Sequence, residues 1–381
     1  MELADLEWHP SPPVDEHTAR INWPALYSRA SHLHNGQQCI ALDLVNAGVN
    51  HMIHLLEFQD SQHMRWVVSI PKDGSSVQAE VDVMNLLYEN KVGIPRVFGC
   101  EPSADNPVGV PFILMQFLTG NVAMDAFGGW GSYGGVIPLE FRPDIHSSVA
   151  QVQVDVASVR FRKIGIVTRS LQGHYDIGPF PHIGGPFETA ASFFEAWAAH
   201  AEFPTSSLKY LHQIEDTVSE ESARELRASI DFPVRLAAMA KAGQLNLKDG
   251  PFPLGHPDLG YNNIVIDEKN KVLGVIDWQD ACTLPWELVE YPLFLDTIPQ
   301  VFNMPDKYDE RGEPLDPTTL QCWKDREAYL DMVRSAESID NRLSESLKDI
   351  KNQALATSVR YFNAGKLGFY NRVLDEYLLV K

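Results

Sequence analysis

The stretch 254–280, "LGHPDLGYNNIVIDEKNKVLGVIDWQD", constrains the fold more than any other part of the chain. It carries His256, Asp258, Asn263 and Asp277 in one segment. Two short apolar runs, "NIVI" and "VLGVI", flank the polar turn "DEKNK". Short strands joined by such a turn read as a hairpin. A hairpin doubles back, so Asp277 at the end of the second run returns beside Asn263 at the start of the first. The carboxylate of Asp258, the amide of Asn263 and the carboxylate of Asp277 then converge. Oxygen donors of that kind suit Mg²⁺, which keeps several waters and also binds substrate phosphates.

Upstream, the strand-like "CIALDLV", the turn "NAGVN" and the run "HMIHLLEF" form strand, small-residue turn, strand. Such a turn can cover phosphates: Gly48 lets the backbone approach, with Asn50 closing the turn. An ordinary hairpin turn is the competing reading. Residues 64–71 read as a further strand. Residues 77–90 place Val77, Val81, Met84, Leu87 and Tyr88 at helical spacing, with Glu80 near the start. "IPRVFGC" and "VPFILMQFL" supply more strands, and "MQFLTG" ends the second in a hinge. Residues 1–40 form an N-terminal extension with a short helix at 23–32 and a packing or lid role. Residues 41–118 form a β-rich lobe.

The remainder, 119–381, reads as a mostly helical lobe that carries the hairpin. Its Gly-rich connector contains G-x-G-x-x-G at Gly129, Gly131 and Gly134. A dinucleotide fingerprint should open a helix. This one runs into Gly135 and Pro138, so it reads as a plain loop. Val149, Val152, Val156 and Val159 follow helical spacing, although Val152, Val154 and Val156 also alternate and leave a strand open. Further helices are expected from Pro186 through 203, at 219–230 and at 232–243. The chain should turn helical again after Pro285 and finish in helices at 319–336, 342–362 and 365–379.

Thirty-one basic against fifty-one acidic residues give a formal net charge of −20. Nucleic acid and anionic membrane surfaces call for a basic face, so neither is expected as partner. A small-molecule substrate, including a cationic one, is compatible. Cys39, Cys100, Cys282 and Cys322 are scattered without a C-x-x-C pair, the pattern of a reducing compartment. No apolar run approaches ~20 residues, the length of a membrane-spanning helix. The acidic start "MELADLEWHPSPPVDEH" lacks the marks of a signal peptide. A cytoplasmic protein is the expectation. No G-x-S-x-G elbow and no H-E-x-x-H is present.

"HPDLGYNNIVID" is similar to the H-x-D-x-x-x-x-N loop, and "GVIDW" to the metal-binding Asp motif, of the aminoglycoside phosphotransferase / choline kinase-type (protein-kinase-like) family. "RWVVSIP", "NPVGVPFILMQFLTGN", "ASVRFRKIGIV", "GPFETAASFFEAWA" and "PWELVEYPLFL" resemble stretches of its fungal branch. The resemblance runs over about residues 40–300. It implies an α+β, protein-kinase-like two-lobed fold, with a β-rich N-lobe and a mostly helical C-lobe. It further implies an ATP- and Mg²⁺-dependent phosphotransferase acting on a hydroxyl of a small metabolite. Asp258 would be the catalytic base, His256 would hold its loop by a hydrogen bond, and Asn263 and Asp277 would hold Mg²⁺. Gly48 and Asn50 would cover phosphates, and Gln116 and Leu118 would offer main chain to adenine.

Glu80 matches the helix glutamate that pairs with a strand lysine or arginine. Here the aligned strand position is Ser69, which carries no charge. Arg65 shares its face four residues earlier and Lys72 lies beyond Pro71, so neither is in register. Losing a cationic clamp costs orders of magnitude in phosphoryl transfer. The alternative expectation is therefore a kinase-like protein that has lost phosphotransfer. It would serve as a nucleotide- or metabolite-binding module, or use the same carboxylates for other chemistry.

Overall fold

The computed structural model describes residues 9–10, 20–47, 50–59, 63–129, 135–214 and 217–379. Gly48, and Gly131 and Gly134 of the connector, lie outside the described residues. The fold is α+β, with β-rich sheets in the N-terminal part and helices dominating the C-terminal part.

The strands, in chain order, are β1 (His9–Pro10), β2 (Cys39–Ala47), β3 (His51–Phe58), β4 (Arg65–Pro71), β5 (Val97–Glu101), β6 (Phe112–Gln116), β7 (Asn121–Val122), β8 (Arg160–Phe161), β9 (Gly165–Arg169), β10 (Tyr175–Gly178), β11 (Phe252–Gly255), β12 (Ile264–Ile266), β13 (Val272–Val275) and β14 (Cys282–Thr283). The helices are α1 (Trp23–Leu33), α2 (Gln78–Glu89), α3 (Arg142–Ser158), α4 (Ala190–His200), α5 (Thr205–Ile214), α6 (Glu220–Arg227), α7 (Phe232–Lys241), α8 (Pro317–Ala336), α9 (Arg342–Lys348), α10 (Ile350–Asn363) and α11 (Tyr370–Leu378). The chain divides into two compact units. The first joins residues 1–148, 167–175 and 256–281; the second joins 149–166, 176–255 and 282–381.

The first unit is built on an antiparallel sheet ordered β1-β2-β3-β4-β6-β5. Strand β4 is buried from Trp66 to Pro71, because both faces of the sheet are covered. Trp66, Val68 and Ile70 point to one face, where they pack with Leu26 and Ala30 of α1 and with Phe112 and Leu114 of β6. Ile113 lies on the other face against Val77 and Val81 at the start of α2. Ser69 pairs directly with Ile113 and with Ile53, so it shares the α2 face. The expected helix in the N-terminal extension thus forms α1 and covers the outer side of the sheet.

A second, three-stranded sheet of the same unit runs β13-β12-β7. The expected hairpin is β12–β13, with Ile264 opposite Val275. Val265 and Ile266 pair on its other side with Val122 and Asn121. Gly120 enters this sheet where side chains do not fit. A Cβ at Gly120 would overlap the carbonyl of Ile266.

The helices from α4 onward belong to the second unit, while helix α3 and the sheet ordered β10-β9-β14-β11-β8 have residues in both units. Trp197 of α4, Phe232 of α7, Phe362 of α10 and Tyr370 of α11 form one aromatic core. The valine run at 149–156 is settled as helix α3. Three expectations are corrected here. Helix α4 starts at Thr189, whose side chain accepts the Ser192 N–H, and not at Pro186; a hydroxyl at the cap satisfies an orphan donor that proline cannot. The segment after Pro285 forms single 3₁₀ turns at Trp286–Leu288 and Leu293–Leu295, since Pro292 breaks helical hydrogen bonding. The helix expected at 342–362 is two, α9 and α10, divided at Asp349, which caps the second by accepting from Lys351 and Asn352 N–H.

Gly120→Ala should destabilise the protein by about 1–3 kcal/mol, because backbone cannot yield as a flexible side chain can. Gly93→Ala, where an added Cβ meets nothing within 4 Å, should be near neutral. Urea denaturation of the two variants checks this; equal midpoints would overturn it.

Candidate active site

The described site residues read from sequence (Asn50, Ser69, Glu80, Gln116, Leu118, His256, Asp258, Asn263 and Asp277) all fall in the first unit. Its hairpin brings several of them together through the backbone. The Ile276 N–H donates to Asn263 O at 2.9 Å, which sets Asp277 one residue beyond the Asn263 pair. The Val275 N–H donates to Gly93 O at 3.0 Å and ties β13 to the loop that ends α2.

His256 fastens the loop at both ends of its ring. Its Nδ1 accepts the Asp258 N–H at 3.0 Å and its Nε2 donates to Ile276 O at 3.0 Å. This leaves the proton on Nε2, and burial keeps the ring neutral by lowering its pKa. Asp258 is held by two amides. Its Oδ2 accepts from Asn262 Nδ2 at 2.9 Å and from Asn263 Nδ2 at 2.8 Å. Asn263 also donates to the Asp258 carbonyl at 2.8 Å. The buried amide nitrogen of Asn263 is therefore spent on Asp258, and its Oδ1 is the atom left for a cation. Behind the loop, the buried His146 of α3 meets the Tyr261 hydroxyl through Nε2 at 2.7 Å.

Asp277 adopts φ +63°, and Asp280 φ +62°. Left-handed backbone is uncommon for non-glycine residues and persists where surroundings enforce it. Here the enforcement is visible. The Trp278 indole donates to Val275 O at 3.0 Å and its ring lies edge-on to His256, 4.6 Å between centroids. The Asp277 carboxylate stays exposed. One exposed carboxylate and one carbonyl oxygen are the kind of sparse donor set Mg²⁺ takes from a protein when phosphates and waters complete the shell. Among the described residues, no group of three or more His, Cys, Asp or Glu side chains is arranged as a metal cage.

The wall formed by β3, β4 and α2 differs from the sequence expectation in its partners. Ser69 is buried, and its Oγ lies 2.7 Å from His51 Nδ1. His51 sits diagonally across β3 from Ser69, two residues before its pair Ile53. Burial lowers the pKa of the His51 ring, an effect that Asp277, Gln279 and Asp73 oppose. Arg65 is engaged elsewhere, its Nε donating to Glu57 Oε2 across the strands at 2.8 Å. Glu80 is buried and forms no ion pair among those of the described residues. The backbone N–H of Trp278 bears on its carboxylate. Burial, then repulsion from Asp277 and Asp280, pushes its pKa up to about 8, against the pull of that N–H. Asp82, one half-turn along α2, likewise takes a backbone N–H, from Arg169 at 2.9 Å.

At the hinge, the Gln116 N–H donates to Arg96 O at 2.8 Å, and its Oε1 accepts the Arg96 N–H at 3.3 Å. The Leu118 carbonyl accepts from Gly120 N–H at 2.8 Å. The Leu118 side chain packs at Gly274 of β13, where a Cβ would come within 2.9 Å. Asn50 is exposed and its carbonyl accepts the Lys72 N–H at 2.8 Å.

A model of the phosphotransferase enzyme family matches residues 56–286, more than half of the chain. The chain belongs to the phosphotransferase enzyme family. No curated protein matches it. Similar solved structures include the amicoumacin kinase hAmiN in complex with AMP-PNP, Ca²⁺ and Ami, 12% identical, covering 94% of this chain and 95% of that one, TM-score 0.45. A macrolide 2′-phosphotransferase type I is 14% identical over 96% of each chain, TM-score 0.43. The Plasmodium vivax ethanolamine kinase is 11% identical over 90% of this chain and 82% of that one, TM-score 0.41.

In this phosphotransferase-family chain, Asn262 and His51 escaped the sequence reading. Asn262 carried a signal: a second amide beside Asn263 in "GYNN" is positioned to donate as its neighbour does. His51 carried none, since it meets Ser69 only through strand register. Of the acids after the hairpin, Glu290 pairs with Arg360 and Glu287 accepts the Lys248 N–H, so both are spent within the second unit.

Glu80 also predicts a pH dependence. An ordinary glutamate ionises at 4.5, and this one at about 8. Its folded state therefore holds a proton that the unfolded chain releases. That contribution to stability is complete below 4.5 and is lost as pH rises toward about 8. Glu80→Gln removes the ionisation. Its Tm, relative to wild type, should rise steadily from about pH 5 to pH 8; a difference flat with pH would refute the assignment.

Proposed function

We propose that this chain transfers the terminal phosphoryl group of a nucleoside triphosphate to a hydroxyl of a small molecule in the cytoplasm. The observation that carries the reading is the two-amide hold on Asp258 Oδ2 from Asn262 and Asn263. It turns a flexible carboxylate into a fixed one, with Oδ1 left to meet an acceptor hydroxyl. Phosphoryl transfer demands this, because the protein's main contribution is position and charge. In the step proposed, the acceptor oxygen forms a bond to the γ-phosphorus while the bond from that phosphorus to the β–γ bridging oxygen breaks. Asp258 receives the hydroxyl proton, and the nucleoside diphosphate leaves with the electron pair.

Asn263 Oδ1 and the Asp277 carboxylate would hold Mg²⁺, which when bound supplies charge neutralisation at the phosphates. His256 keeps Asp258 and the hairpin in one register. The hinge at Gln116 and Leu118 would flank the base, and Gly48 and Asn50 the phosphates. The division into extension, N-lobe and C-lobe at residues 40 and 118 belongs to the same proposal. A cationic acceptor suits the overall charge of −20.

Ser69 favours a second reading, a kinase-like protein that binds nucleotide or metabolite without transferring phosphate. With no cation paired to Glu80 among the described residues, the phosphates would lack the clamp the family supplies.

Thermal shift separates the two. On the first reading Mg·ATP at a hundred times its Kd stabilises the fold by about 2.7 kcal/mol, and omission of Mg²⁺ abolishes the shift. Asp258→Ala should keep that shift while phosphoryl transfer, followed as ATP turnover, falls about 10²–10⁴-fold. A shift with metabolite extracts alone and none with Mg·ATP would sink phosphotransfer and leave the second reading standing.

A further inference from the structure

We infer that His146 and Tyr261 are positioning residues, a buried anchor that sets the loop between Asp258 and Asn263 and so keeps both amides on the Asp258 carboxylate. Tyr261 opens the 3₁₀ turn Tyr261–Asn263, from which Asn262 and Asn263 reach back to Asp258 Oδ2. Gly260 precedes that turn, and a glycine leaves the direction of the following residues loosely specified. Tyr261 is held from outside the loop at two points. Its hydroxyl meets His146 Nε2 at 2.7 Å, and the two rings stack with centroids 6.1 Å apart. Its carbonyl accepts the Met124 N–H at 3.1 Å. Both side chains of the anchor are buried.

The partners come from a braced base. His146 lies on the second turn of α3, in the part of that helix that belongs to the first unit. Arg142, at the start of α3, donates through Nε to Ile137 O at 2.8 Å. Phe141 stacks on Phe127, 5.1 Å between centroids, and Phe127 stands three residues past Met124. The Ala123 N–H donates to Ile264 O at 2.7 Å, on the far side of Asn263. The loop is therefore gripped at 261 and at 264, with Asn262 and Asn263 between the two grips. A hydroxyl both donates and accepts, so the contact to Nε2 stands with either tautomer of His146. Removing the hydroxyl keeps the apolar packing of the Tyr261 ring and strips a buried ring nitrogen of a partner, which is costly.

The effect on phosphoryl transfer rests on the proposed function; the effect on the loop does not. Two measurements keep them apart. In ¹⁵N-labelled protein, hydrogen exchange of the Asn263 side-chain amide, which donates to Asp258 O and Oδ2 at 2.8 Å, reads the loop alone. Tyr261→Phe and His146→Phe should each speed it about tenfold. His146→Gln, which keeps a hydrogen-bonding side-chain amide, should stay within about threefold of wild type. The double variant should exchange no faster than the singles, because the two side chains act through one contact. The Trp278 indole N–H, bonded to Val275 O, should keep its wild-type rate in every variant and so show the hairpin intact. The anchor is refuted if Tyr261→Phe leaves Asn263 at the wild-type rate, if His146→Gln exchanges as fast as His146→Phe, if the double variant multiplies the two effects, or if the Trp278 indole accelerates alongside. ATP turnover is the second measurement. His146→Phe and Tyr261→Phe should lower it at least about tenfold, and His146→Gln should recover most of the loss. Unchanged turnover in Tyr261→Phe, beside a loosened Asn263, would break the link from anchor to reaction. The full exchange pattern with no ATP turnover in the wild type would fail the proposed function and leave the anchor standing.

Discussion

The hydrogen bond from Ile276 N–H to Asn263 O is the constraint on which the rest of the site depends. It fixes the two ends of the hairpin against each other. Once it forms, His256 can reach Ile276 O and the Asp258 N–H together, and Asn263 can turn its amide onto Asp258. Each later bond uses an atom that the earlier one has placed. The result is a set of oxygen donors whose alternatives have been removed by hydrogen bonding, which costs less reorganisation than holding free carboxylates in place.

Helix α2 carries two buried acids, Glu80 and Asp82. Asp82 accepts the backbone N–H of Arg169, and burial raises the pKa of Glu80. An N–H is a weak partner for a carboxylate, but it is fixed by covalent geometry and needs no side-chain ordering.

Local pattern made much of this legible. The two apolar runs and the turn between them gave β12 and β13, and helical spacing gave α2 within a residue of its ends. The order of strands and helices along the chain gave the α+β class. Strands of two to four residues, such as β8, β11 and β14, carry too few positions for a period to show. The run after Pro285 has helical apolar spacing, yet prolines at 285, 292 and 299 deny it the hydrogen bonds. His51 could not be read as the partner of Ser69 because their meeting depends on register. Only the β3–β4 register, which pairs Ile53 with Ser69, places His51 two residues away on the same face.

The covered outer face of the first sheet has a consequence for where this protein can be cut. Leu26 and Ala30 of α1 are fully buried against Trp66, Val68 and Phe112. The Asn22 side chain anchors the start of that helix to the Pro107 carbonyl. Residues 20–33 are therefore half of a core, although in sequence they stand ahead of the family's matched region at 56–286. A fragment trimmed to the matched region would present a row of tryptophan, phenylalanine and valine to water, and sheets that do so associate with one another. The region that matches the family is not a part of the chain that can be expressed alone.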